Sequence, residues 1–518
     1  MPLRPENLPR DIDRLVALVV ELSTENDQLR DLVKTANGLL FGARSERGTV
    51  ILGDQASFDL GDLATDVAAP ANDDEPAAEE SRTRKRARRN IGALPKHLPR
   101  VERVIEPDTQ ECPCCAGALH RIGEDAAEAF DWVPATVRVI RTIRPKYACR
   151  HCQTGIVQAP APRRLIEGSM TTTSTIAWIA TARFAWSIPL NRQMQMLAGQ
   201  GIFVDRSVPV VWMQKAAWWL EGLYELQLRM IHRQPRIFCD ETRMPVLTKG
   251  QRRARIAQFW AHATDDSPWN GPAPPAVCYI FANGRGYREI KSQLAAYQGV
   301  LQVDGYGAYK ALEKARKGSG SIQLAFCLAH ARRKFTDAYK KTKSPICARI
   351  IALIAQVYAV EARVRGSSAE QRYATRQADS VEIMAQLKSV LDATLPQLST
   401  KSALAKAIRY TLAHWQGLIR FLDDGRLEPD TNTVERGMRN VAQGRKSSLF
   451  AGSEAGARTW AILASLLQTA RLNGLDPYAW LNDVLERIVS GAVKNHELDQ
   501  LLAWNWRPAE PPAMHLAA

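Results

Sequence analysis

Residues 236–328 alternate short apolar runs with helical segments in an order that few architectures can accommodate. IFCD (237–240) is followed by ARIAQFWAHATD (254–265) and AVCYIFA (276–282), then by a helical GYREIKSQLAAY (286–297). The strand LQVD (301–304), a short helical YKALEKA (309–315) and the strand IQLAFCLAH (322–330) complete the run. Three strands, a helix, a strand, a helix and a strand predict a mixed α/β layer. Two of those strands run into acids: Asp240, followed by Glu241, and, 64 residues on, Asp304 before a Gly-rich turn. A carboxylate at a strand end must reach solvent, pair with a cation or bind a metal, because an isolated buried charge is costly. Two strands ending in Asp suggest one shared site.

This order resembles a ribonuclease H-like core, in which the first strand is central and the fourth lies beside it, so that Asp240 and Asp304 end neighbouring strands. After His330 an Ala-, Lys- and Leu-rich pattern predicts an all-helical insertion to about residue 422. With 518 residues, 46% of them apolar, the chain is long enough for several domains. The net charge of +15 favours an anionic partner, most simply nucleic acid. The N-terminal MPLRPENLPRD has no apolar h-region, and no apolar run reaches the roughly 18 residues of a membrane span. A cytoplasmic protein with no membrane partner is expected.

Residues 8–40 carry heptads, with Ile12, Val19, Asn26 and Val33 at a and Leu15, Leu22 and Leu29 at d. They read as a short parallel coiled coil and hence a homo-oligomer, or as one amphipathic helix packed on its own protein. A linker over 41–100 follows: residues 54–80 hold nine acidic and no basic residues, after which RTRKRARR (82–89) has six cations in eight. Arg82, Arg84, Lys85, Arg86, Arg88 and Arg89 could contact DNA phosphates without reading sequence, or form a solvated basic tail. Five of the nine cysteines crowd between Cys112 and Cys152. Cys112 with Cys115 and Cys149 with Cys152 make two C-x-x-C knuckles separated by 33 residues, the spacing of a zinc ribbon over 101–164. Four thiolates leave no open coordination position, so Zn²⁺ there is structural. Residues 165–232 are helical, and the Gly199–Gly201 turn followed by Asp205, Arg206 and Ser207 resembles a helix-turn-helix. Pro209 fits the first turn of the second helix, and Trp212, Trp218 and Trp219 read as core.

The strings CDETRMPV, VDGYGAY, CLAHARRKF, NTVERGMRNVAQGRKSSLFAGSEAGA and LNGLDPYAWL resemble, in order, the motifs of insertion-sequence 66 transposases. Leu328 departs from the aromatic residue expected in the third. The resemblance spans nearly the whole chain. It implies a catalytic domain over 233–460 with the helical insertion at about 330–428, and a C-terminal helical region over 461–518. It further implies that Asp240, Asp304 and Glu435 are the acidic triad of a DDE nuclease, with Glu241 a neighbour rather than a ligand. Such a triad would hold two Mg²⁺ or Mn²⁺ ions for cleavage and strand transfer at insertion-sequence ends and target DNA. Accessory proteins encoded by the same element are common in the family.

The third carboxylate has competitors in Asp423, Asp424, Glu428, Asp430 and Glu454. DDGRLEPD (423–430) reads as a surface loop, whereas Glu435 falls one turn into a helix, with Arg439 on the same face. Arg436, Arg439, Arg445 and Lys446 could hold flanking phosphates. His330 could approach the attacking water or cap a helix. Two alternative functions use parts of the same pattern: a ribonuclease H-like DNA nuclease or resolvase without transposition, and a non-catalytic zinc-dependent DNA-binding regulator.

Overall fold

A computed structural model describes residues 163–508 except 170, 249–253 and 317–320, together with Asp11, residue 161 and the short strands β1 (Lys146–Ala148) and β2 (Ile156–Gln158), which pair antiparallel. The heptads, the acidic and basic runs and the four knuckle cysteines lie outside the described residues.

The centre is a five-stranded mixed sheet of β3 (Arg236–Val246), β4 (Arg255–Thr264), β5 (Ala276–Ala282), β6 (Gly299–Val303) and β7 (Ile322–Phe326). Their spatial order is β5-β4-β3-β6-β7. The first three strands are an antiparallel meander, and β6 and β7 continue parallel to β3. The parallel part follows from its connections: the helix Tyr287–Gln293 carries the crossover from β5 to β6, and the helix Gly307–Ala315 the crossover from β6 to β7.

Both faces of the sheet are covered, which is why β4 is buried along most of its length instead of alternating. Along β3, Phe238, Met244 and Val246 join one core with the helices Thr173–Phe184, Val208–His232, Asn432–Ser447 and Glu454–Leu472. Ile237 and Cys239 point the other way, into a core with Ile290, Tyr309 and Leu312. The outer edge of β5 is closed by side chains. Ser465 accepts the Tyr279 N–H at 2.7 Å, Thr469 bonds both backbone groups of Val277 at 3.1 Å, and Tyr224 donates to the Tyr279 carbonyl at 2.8 Å. Those bonds satisfy an edge that would otherwise be open to pairing. At the start of β6, Gly299 adopts φ +135°, and a Cβ there would fall 2.2 Å from the Pro235 carbonyl oxygen, so only glycine lets β6 meet β3.

Two helices flank the turn at Gly199–Gly201: Leu190–Ala198 and Val208–His232, the latter with Pro209 in its first turn. The second runs 25 residues and leads almost directly into β3. Trp212 is core, but Trp218 is 64% exposed, a correction to its assignment by hydrophobicity. A helix packed on one side leaves part of its apolar stripe outside, and Val211 shares that exposed face.

Between β7 and residue 422 every described regular element is helical, from Leu328–Thr342 and Pro345–Val364 to Trp415–Ile419 and the turn Arg420–Leu422. The core of this stretch, with Phe335, Ile350, Ile354, Leu387, Ile408 and Phe421, reaches the sheet through Ala325 of β7. Pro345–Val364 is the one described helix long and apolar enough to cross a membrane, and Ile350, Ile351, Ile354 and Val357 bury it in that core.

Candidate active site

Asp240 sits in the middle of β3 and not at its end, because pairing with β4 carries the strand on to Val246. What ends near Asp240 is β6. The last parallel pair is Phe238 with Gln302, so Asp240 and Asp304 each lie two residues beyond it. The two carboxylates therefore stand level on adjacent strands. Asp304 caps its own turn, accepting the Tyr306 N–H at 2.9 Å. Gly305 beneath it is pressed by the insertion: a Cβ would lie 2.6 Å from both the Tyr410 hydroxyl and His414 Nε2.

Glu435 arrives from the helix Asn432–Ser447, whose Val434, Met438 and Val441 pack on the same sheet face as Phe238 and Met244. Strand alternation puts Asp240 on that face too. Burial raises the Asp240 carboxyl well above the usual carboxylate range, and the negative charges of Glu241, Glu435 and Asp304 push it further. Glu435 itself is buried; Thr431 Oγ1 donates to its Oε1 at 3.0 Å, and His330 Nδ1 stands 3.6 Å from the same oxygen. Arg439 does not make the pair that its spacing suggests, and its Nε lies buried without an acceptor. Thr431 is the N-cap residue of the same helix, four positions before Glu435, whereas His330 comes from another helix that no local spacing announces.

Glu241, one residue from Asp240, serves the opposite face. Arg285 Nη2 meets its Oε1 at 2.6 Å and Tyr309 donates to its Oε2 at 2.9 Å. Burial and the charge of Asp304 raise its carboxyl, while Arg285 and Tyr309 oppose the shift.

The approach to Glu435 is built from residues that sequence reading placed in a surface loop. Residues 427–431 are buried instead. Gln302 on β6 donates to the Glu428 carbonyl at 2.7 Å and accepts its N–H at 3.1 Å; Leu328 N–H bonds the Pro429 carbonyl at 2.8 Å. Thr431 N–H donates to Cys327 Sγ at 3.4 Å. The segment is thus sewn across the ends of β6 and β7 before the helix begins. Asp430, buried here, bonds both the backbone and side-chain nitrogens of Asn432.

Among the remaining candidate cations, Lys446 is exposed, Arg436 is half-buried, and Arg445 is half-buried with a hydrogen bond to the Arg243 carbonyl of β3. Gln302, Cys327, Tyr410 and His414 were missed as site residues. Only Cys327 carried a local signal, its C-x-x-H spacing to His330.

Residues 168–459 match the family model described as transposase IS66 family. Residues 109–153 match the zinc-finger binding domain of transposase IS66, so a zinc-finger domain spans the four knuckle cysteines. Residues 465–504 match the IS66 C-terminal element, and 28–103 match a model described as transposase C of IS166 homeodomain. Similar curated proteins come from Sinorhizobium fredii. The uncharacterized protein y4jD is 53% identical over 98% of each chain, and the uncharacterized protein y4qI is 39% identical over 98% of this chain and 99% of its own.

Proposed function

The chain belongs to the IS66 transposase family, and from that membership we propose that it is a DDE transposase, binding the ends of its insertion sequence and catalysing strand cleavage and strand transfer. The observation that carries this reading is the convergence of Asp240, Asp304 and Glu435 from two adjacent parallel strands and one helix, with Asp240 bearing the repulsion of the other acids. The sheet order, with the first strand central and the fourth beside it, supports a ribonuclease H-like core.

The donor set fits hard divalent cations. Three carboxylates offer only oxygen, and like charges this crowded are relieved by a cation between them. Asp240, Asp304 and Glu435 would hold Mg²⁺ or Mn²⁺, two per site, and bound there the ions supply activation of the attacking hydroxyl and stabilisation of the leaving oxygen. The chain's own part is placement. The Tyr306 N–H fixes Asp304, Thr431 fixes Glu435, and the Gln302 clamp on Glu428 sets the distance between strand and helix. Water is the nucleophile for end cleavage, and a 3′-hydroxyl for strand transfer. Arg436, Lys446 and the basic run from Arg82 to Arg89 hold phosphates, and Cys112, Cys115, Cys149 and Cys152 hold structural Zn²⁺. Self-association through residues 8–40 pairs two ends, in the cytoplasm.

The deciding test is Glu435→Gln in the full chain. End binding and folding should persist while Mg²⁺-dependent end cleavage disappears. Near-normal cleavage by this variant sinks the assignment. Wild-type cleavage without strand transfer would favour a nuclease or resolvase.

A further inference from the structure

We propose that Cys327, His330 and Glu435 form a second metal site, for a soft divalent ion such as Zn²⁺, which shuts off the reaction by taking Glu435. One ligand atom from each of the three lies within 4.8 Å of the other two, a grouping found at no other place among the described residues. Cys327 is the N-cap of the helix Leu328–Thr342 and His330 lies in its first turn, so one rigid helix start presents both. Glu435 enters from the facing helix.

Two further observations point to a ligand. His330 Nδ1 is shielded from solvent with no hydrogen-bond partner, and it already stands 3.6 Å from Glu435 Oε1. Donor atoms around tetrahedral zinc sit roughly 3.4–3.7 Å apart, so that pair is in place and the thiol needs to close by about 1 Å at most. Cys327 Sγ now accepts a long backbone hydrogen bond from Thr431, and the His330 backbone bonds it as well. Three protein donors leave the fourth position to water.

Thiolate and imidazole select zinc over magnesium, and the oxygen-only Asp240–Asp304 side selects the reverse. Glu435 belongs to both sets. Zinc binding releases the Cys327 thiol proton to solvent and ties the Glu435 carboxylate to the insertion side of the cleft. The binding claim stands alone, whereas the shut-off rests on the role proposed above for Glu435.

The test uses the full chain equilibrated with micromolar Zn²⁺ and excess Mg²⁺. Cys327→Ser and His330→Gln should each bind one zinc fewer per chain than wild type, with circular dichroism unchanged. Zinc should suppress wild-type end cleavage, and Cys327→Ser should need roughly tenfold more zinc or above for the same fractional loss relative to its own zinc-free rate. Equal zinc stoichiometry in wild type and both variants overturns the site. A lower stoichiometry with zinc-insensitive wild-type cleavage overturns the shut-off. Absence of any Mg²⁺-dependent cleavage in wild type would instead defeat the transposase reading, and the stoichiometry would still decide the site.

Discussion

Arg372 and Glu428 are joined by a 2.6 Å ion pair with both side chains almost wholly out of solvent. Arg372 also reaches Glu361 at 3.0 Å, and Arg376 binds Glu361 at 2.7 Å while donating to the Phe421 and Leu427 carbonyls. This network holds the segment that Gln302 clamps on its other side. Breaking one partner of a buried pair leaves a charge uncompensated, so Glu428→Gln should cost about 3 kcal/mol. Urea unfolding measures it; a change below about 1 kcal/mol would mean that Arg372 finds full compensation in Glu361.

The adjacent acids of β3 should separate cleanly by function. Glu241→Gln loses the charge facing the half-exposed Arg285 but also relieves the burial and repulsion that raise this carboxyl, so it is expected to change stability by less than about 1 kcal/mol while retaining end cleavage. Asp240→Asn relieves repulsion, so it should leave stability equal or higher and abolish cleavage. Paired melting and cleavage measurements on both variants check this. Loss of cleavage in a folded Glu241→Gln would show that the two faces are not independent.

Asp430 gives a pH signature. Burial is the main force raising its carboxyl to about 6; the Asn432 N–H opposes this, and Glu428 and Glu435 add to it. Below its ordinary range, near pH 4, both folded and unfolded forms are protonated. Between about pH 4 and about 6 the unfolded chain ionises first, so folded stability falls as pH rises, by on the order of 2–3 kcal/mol. Asp430→Asn should lack this component. The wild-type minus variant difference in unfolding free energy, followed from pH 4 to 7 without added divalent ions, should therefore decline; a flat difference would contradict it.

Cys149→Ser should lose zinc and end binding together, because structural metal contributes directly to folding such a module. Atomic absorption and a gel-shift assay on the same preparation read both. Full zinc content in the variant would remove Cys149 from the ligand set.

The sequence by itself determined the order of elements over residues 236–328, because apolar alternation and turn residues act within a few positions of one another. It also singled out Asp240, Asp304 and Glu435, partly through strand endings and mainly through motif strings, and the C-x-x-C spacing pointed to the zinc-finger domain matched over residues 109–153. Only the tertiary structure decided which residues surround those acids. Asp240 lies mid-strand because β4 extends β3, a pairing that no local pattern announces. Residues 427–431 look like a loop by composition, yet they are buried because Gln302, Arg372 and Arg376 satisfy their polar groups from positions far off in sequence. Glu435 takes one partner, Thr431, from four residues before it, but passes over Arg439 for His330 of another helix for the same reason: charge and hydrogen-bond partners inside a fold are chosen by distance in space, and a sequence records only distance along the chain.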